Sequence, residues 1–116
     1  MREQFISDVK TFLLEKEFIE NESSFEKTIN YTQPGSTMII NGQQINQPGK
    51  QIEMKFIVKE FGDGYYSDID DENKVYYTQF ELSILTNNEL KELATIAYRW
   101  DDINSFKKDL INTFNL

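Results

Sequence analysis

The chain has 116 residues and a net charge of −8, from 20 acidic and 12 basic side chains. Cysteine and histidine are both absent, which excludes disulfides, thiolate metal sites and every nucleophilic dyad that needs an imidazole or a thiol. With 39% hydrophobic and 28% charged residues, the composition is that of a folded chain, and the length is that of one domain, residues 1–116.

Residues 3–19 are expected to form a helix. Phe5, Ile6, Val9, Phe12, Leu13 and Lys16 recur at the three-and-four spacing of one helical face. The start Met1-Arg2-Glu3-Gln4-Phe5 opens no export signal. The longest apolar runs, Phe12-Leu13-Leu14 and Met38-Ile39-Ile40, have three residues, far below a membrane span. A cytoplasmic location is expected.

Residues 25–32 alternate as a half-buried strand, with Phe25, Ile29 and Tyr31 on one side. Pro34-Gly35 breaks it. Over residues 36–50 two short runs flank Asn41-Gly42, the pair that best suits a two-residue hairpin turn. Pro48-Gly49 closes the segment. Residues 51–61 alternate again, with Ile52, Met54, Phe56 and Val58 on one face. Gly62-Asp63-Gly64 is expected to end that strand, and a polar connection runs on through Asn73. Residues 75–85 form a further strand, with Tyr76, Thr78, Phe80, Leu82 and Ile84 sharing a face.

Thr86-Asn87-Asn88-Glu89 has the form of a capping box. A helix is expected from there to about Arg99, with Leu90, Leu93, Ala94, Ala97 and Trp100 as its stripe. Asp101 or Asp102 opens a last helix with Ile103, Phe106, Leu110 and Phe114 inward. The expected fold is α+β. An antiparallel sheet of about three to five strands carries one N-terminal and two C-terminal helices, in the order α-β-β-β-β-α-α. Helices on both sheet faces, or one face left open, are equally compatible with the pattern.

Charge is uneven. Residues 60–73 hold six acids and no base. Expected partner-binding residues are Glu60, Asp63, Tyr65, Tyr66, Asp68, Asp70, Asp71 and Glu72, because clustered carboxylates beside tyrosines can dock on a basic protein surface. A merely solvated loop is the plainer alternative. A calcium loop fits poorly. Asp68, Asp70 and Glu72 alternate as calcium ligands do, but Asn73 stands where glycine belongs and Gln79 where glutamate belongs. No metal and no cofactor are expected. Direct nucleic-acid binding is disfavoured, since Lys50, Lys55 and Lys59 are the best basic cluster.

The expected function is therefore a non-enzymatic acidic module that binds another protein, one version being inhibition of a nucleic-acid-binding or toxin partner through the acidic, tyrosine-containing loop. Immunity, antirestriction and anti-CRISPR proteins are of this physical type. The alternative is a sheet-based adaptor or secretion-chaperone-like protein, with a homodimer as one version. A small carboxylate hydrolase or metal-binding protein, using acids such as Glu53 and Glu81, is the third.

Overall fold

The computed structural model describes residues 1–67 and 74–116. Helix α1 (Arg2–Glu15) leads into β1 (Ile19–Glu20), β2 (Ser24–Gln33), β3 (Ser36–Ile40), β4 (Gln43–Gln47), β5 (Lys50–Ser67), β6 (Lys74–Thr86), β7 (Glu89–Arg99) and α2 (Ile103–Phe114). A five-stranded sheet runs in the order β1-β2-β5-β6-β7, and β3-β4 form a separate pair. Every pairing is antiparallel. The fold is α+β with an antiparallel sheet, as its alternating runs require.

Helix α1 ends earlier than its apolar pattern. Glu17 adopts φ 68°, while the amides of Glu17 and Phe18 donate to the carbonyls of Leu14 and Leu13. This is the Schellman closure, with glutamate where glycine is usual. It swings Phe18 inward until it is 2% exposed.

The largest correction concerns residues 86–99. They form no helix. Asn87 and Asn88 have φ of 51° and 64°, the left-handed pair of a type I′ hairpin turn, and Thr86 pairs with Glu89 across it. β7 follows, with a register shift opposite Leu82 and Ser83. The unpaired Leu93 at that shift changes the phase of the alternation. Leu90, Leu93, Ala94 and Ala97 then mimic helical spacing along an extended chain. The buried face of β7 is set instead by Ala94, Ile96 and Tyr98, which pair with Leu82, Phe80 and Thr78. There are thus two helices, one at each end of the described chain.

A second correction concerns Gly62-Asp63-Gly64. β5 passes through it. The ladder shifts register between Glu60 and Gly62, leaving Phe61 as a bulge, and pairing resumes as far as Ser67↔Lys74. A bulge absorbs the extra residue and redirects the strand without ending it.

Both helices cover the same sheet face. Phe5, Val9, Phe12 and Leu13 of α1 and Phe106, Leu110 and Phe114 of α2 share one core with Phe56, Val58, Phe80, Leu82 and Tyr98. Asp102 caps α2, accepting from the Ser105 amide at 3.2 Å and the Ser105 hydroxyl at 2.7 Å. These bonds, the hydroxyl's first, hold its carboxyl below the usual carboxylate range. Among the described residues no helix lies on the opposite sheet face. There Ile57, Val75, Tyr77 and Leu85 are half-buried, interleaved with charged pairs such as Lys59↔Glu81. They form no continuous apolar patch.

The molecule is long, 76 × 28 × 22 Å, with a radius of gyration of 20.1 Å. A compact chain of this length would have a radius of about 13 Å. Two features account for the length. One is the β3-β4 hairpin, joined to the ribbon of β2 and β5 by two Gln-Pro-Gly segments, residues 33–35 and 47–49. A Cβ at Gly35 would lie 2.5 Å from the Gln47 carbonyl, and one at Gly49 would lie 2.8 Å from that of Gln33. The two segments therefore cross in backbone contact that only glycine permits. The other feature is the arm that β5 and β6 build beyond the bulge. No helix of the described residues is long and apolar enough to cross a membrane.

Candidate functional site

The arm begins where the bulge frees β5 from the helices. Glu60 and Asp63 flank the bulge, and both turn to Arg2 at the start of α1. The Arg2 Nε donates to the Asp63 carboxylate at 2.7 Å, and another guanidinium nitrogen pairs with Glu60. The hydrogen bond to Asp63, then the neighbouring negative charges, raise the Arg2 pKa further. Two of the expected partner-binding acids are thus engaged within the chain.

Asp63 also accepts from the Thr78 hydroxyl at 2.6 Å. Thr78 is 0% exposed, and its oxygen accepts in turn from the Trp100 indole N–H at 2.9 Å. A continuous chain of polar contacts therefore runs from Arg2 through Asp63 and Thr78 to Trp100. Trp100 does not sit between two helices. Its ring stacks on Tyr76, centroids 5.0 Å apart and planes 11° off parallel.

Tyr76 pairs across the ladder with Tyr65, whose ring lies 5.9 Å away. The Lys74 ammonium sits 4.9 Å from the centre of the Tyr65 ring, a cation–π contact. Trp100, Tyr76 and Tyr65 form a ladder of rings leading outward along one face. On the other face Tyr66 stacks on Tyr77 at 6.4 Å. Gly64 lies opposite Tyr77, and a Cβ there would fall 2.5 Å from the Tyr77 hydroxyl. The missing side chain is what lets that ring lie across the strand. Tyr65, Tyr66 and Tyr76 are all exposed.

Of the expected site residues, Tyr65 and Tyr66 stand on the arm's two faces, exposed, and Glu60 and Asp63 anchor its base. Asp68, Asp70, Asp71 and Glu72 lie outside the described residues. Sequence reasoning missed Tyr76 and Trp100 as parts of this cluster. The signal was present in Tyr76-Tyr77, which pair register-for-register with Tyr65 and Gly64 once the strands are known to continue past the glycines.

Near the base of the arm, Tyr98 donates to Asp109 of α2 at 2.7 Å. Burial first, and that bond second, push its phenol well above the ordinary range. It donates at any physiological pH. Arg99, at the exposed end of β7, is held by both carboxylate oxygens of Asp101. A cleft of about 460 Å³ lies between α1, the β1–β2 turn and Phe61. Lys10 and Glu20, 3.2 Å apart, form an ion pair at its wall. Among the described residues no group of three or more acids converges as a metal site would require.

The chain matches no protein-family model, no curated protein and no solved structure.

Proposed function

We propose that this protein is a non-enzymatic binding module whose β5–β6 arm docks on another protein and blocks a basic site there. The observation that carries this reading is the cluster of Tyr65, Tyr66, Tyr76, Tyr77 and Trp100 on an arm that projects from the core. Tyrosine and tryptophan give large contact area at low conformational cost. The sequence adds four acids, Asp68, Asp70, Asp71 and Glu72, between the arm's two strands. A cationic surface would meet rings and carboxylates together. The same charge disfavours nucleic acid as a direct partner, and the lack of cysteine suits the cytoplasm.

A second reading rests on β7. Among the described residues no strand pairs with its outer edge over Glu89–Arg99, so a peptide strand could add there.

The two readings separate in one experiment. A photoreactive phenylalanine analogue replaces Tyr65 in one variant and Thr95 of β7 in another. The arm variant is expected to cross-link a single partner in source cells, and the β7 variant is not. The recovered partner, made pure, is then titrated at about 50 and about 300 mM salt, a range in which screening of exposed charges strengthens markedly. Binding should weaken about tenfold or more with salt, and as much when Asp68, Asp70, Asp71 and Glu72 are changed to their amides. Affinity unmoved by both treatments, or cross-links from Thr95 alone, would refute the arm reading.

A further inference from the structure

We propose that the β3–β4 hairpin is a self-association surface, its Met38–Ile40–Ile45 face packing on the same face of a second copy of this chain.

Register makes the hairpin two-sided. Ser36 pairs with Gln47, Met38 with Ile45 and Ile40 with Gln43, so these six share one face. Thr37, Asn46, Ile39 and Gln44 share the other. The first face carries three large aliphatic side chains and the second only one. Polar pairs finish the base, with the Ser36 hydroxyl donating to Gln47 on the aliphatic face and the Thr37 hydroxyl to Asn46 on the other. All ten hairpin residues are exposed. Met38, Ile40 and Ile45 are 50%, 46% and 42% exposed even though they shield one another. No other described element packs substantially on the hairpin. An isolated two-stranded hairpin is marginal in water, so this one gains from a cover.

Three arguments make the cover a second copy. Charge is the first. The chain carries −8, yet Thr28–Gly49 contains no charged residue at all. Two copies can meet at this stretch without bringing like charges together, a repulsion that opposes association elsewhere on an acidic chain. Symmetry is the second. A two-fold interface requires a surface complementary to itself, and an uncharged face centred on three aliphatics and rimmed by Ser36, Gln43 and Gln47 meets that condition. Area is the third. The accessible surface is 8427 Å², about 1,800 Å² above the value for a compact chain of this mass. Half of that excess, the share of one of two projecting features, is about 900 Å² over both hairpin faces, so one face offers about 450 Å² per partner, the size of a weak, reversible interface. The Tyr65 arm stands at the far end of β5, about 55 Å away along the strand. Pairing of hairpins leaves it free.

Light scattering on the full chain over about 1–200 μM tests the proposal, a range that spans typical micromolar association. The wild-type chain is expected to approach twice the 13.7 kDa chain mass. The triple variant Met38→Thr, Ile40→Thr, Ile45→Thr keeps strand formers and removes the aliphatic face. It should stay at one chain mass, with dimerisation weakened about 100-fold or more and the melting of the core unchanged. A second measurement is independent of that variant's folding. The chain has no cysteine, so Gln43→Cys and Gln44→Cys each place one thiol on opposite hairpin faces. A short bismaleimide should join the Gln43→Cys variant into a covalent dimer severalfold faster than the Gln44→Cys variant. The proposal is overturned if wild type remains at one chain mass throughout, its hairpin left to a lipid surface or an unrelated protein. It is equally overturned if the triple variant dimerises like wild type, or if the two thiols link at equal rates. Loss of partner capture through Tyr65 with dimerisation intact would count against the arm alone.

Discussion

Changing Phe106 to alanine is expected to cost about 3–5 kcal/mol, the range for removing a fully buried aromatic ring. Phe106 is 0% exposed and stands where both helices meet the sheet. Its ring lies 6.5 Å from Phe5, 6.2 Å from Phe12, 5.1 Å from Phe80 and 5.3 Å from Tyr98. Three of these contacts are edge-to-face, the geometry favoured by the ring quadrupoles. Rings from α1, β6 and β7 would all line the resulting cavity. No single neighbour can move in without losing its own contacts, so relaxation is limited. In a chain of this size the loss corresponds to a fall in melting temperature of about 12–20 °C, readable by calorimetry. A cost under about 1 kcal/mol would mean that α2 does not seat on the sheet through this residue.

Thr78→Val should cost about 2 kcal/mol although the two side chains have nearly the same shape. The Thr78 hydroxyl donates to Asp63 and accepts from Trp100. Asp63 is 40% exposed and keeps its bond to Arg2, so water can replace the lost donor there. The half-buried indole N–H has no such substitute within the cluster. Most of the cost therefore falls on Trp100. Its ring should loosen from Tyr76, and its fluorescence should shift to longer wavelength. Thr78→Ser keeps the hydroxyl and should recover most of both effects. Equal stability and an unshifted spectrum in Thr78→Val would show that this chain of contacts does not hold the ring ladder.

The helices at the two ends were legible because their apolar residues follow the helical period and face one core. Asp101-Asp102 announced the start of α2, of which Asp102 is the cap, and Asn41-Gly42 announced the hairpin, whose turn residues take φ of 50° and 77°. Strand faces over Met54–Val58 and Thr78–Ile84 followed from plain alternation. What was not legible has two physical sources. Bulges at Phe61 and Leu93 each add one residue to a ladder, so the period-two pattern breaks although pairing continues. Asn87-Asn88, in turn, serves a cap or a type I′ turn equally well by composition. Only its backbone angles decide, and those answer to β6 and β7 pairing rather than to local propensity. The candidate site was half visible. The acids and two tyrosines stood out by composition, but the pairing of Glu60 and Asp63 with Arg2 joins residues about 60 positions apart in sequence. No local pattern reports such a contact.

The account rests on a helix-backed core from which two features project in opposite directions, one aromatic and one aliphatic. Small-angle scattering from the monomeric hairpin variant, extrapolated to zero concentration, reads that shape without any partner. A radius of gyration near the 20.1 Å of the described fold is expected. A value near 13 Å, that of a compact chain of this length, would contradict it, because both arms would then be folded back onto the body.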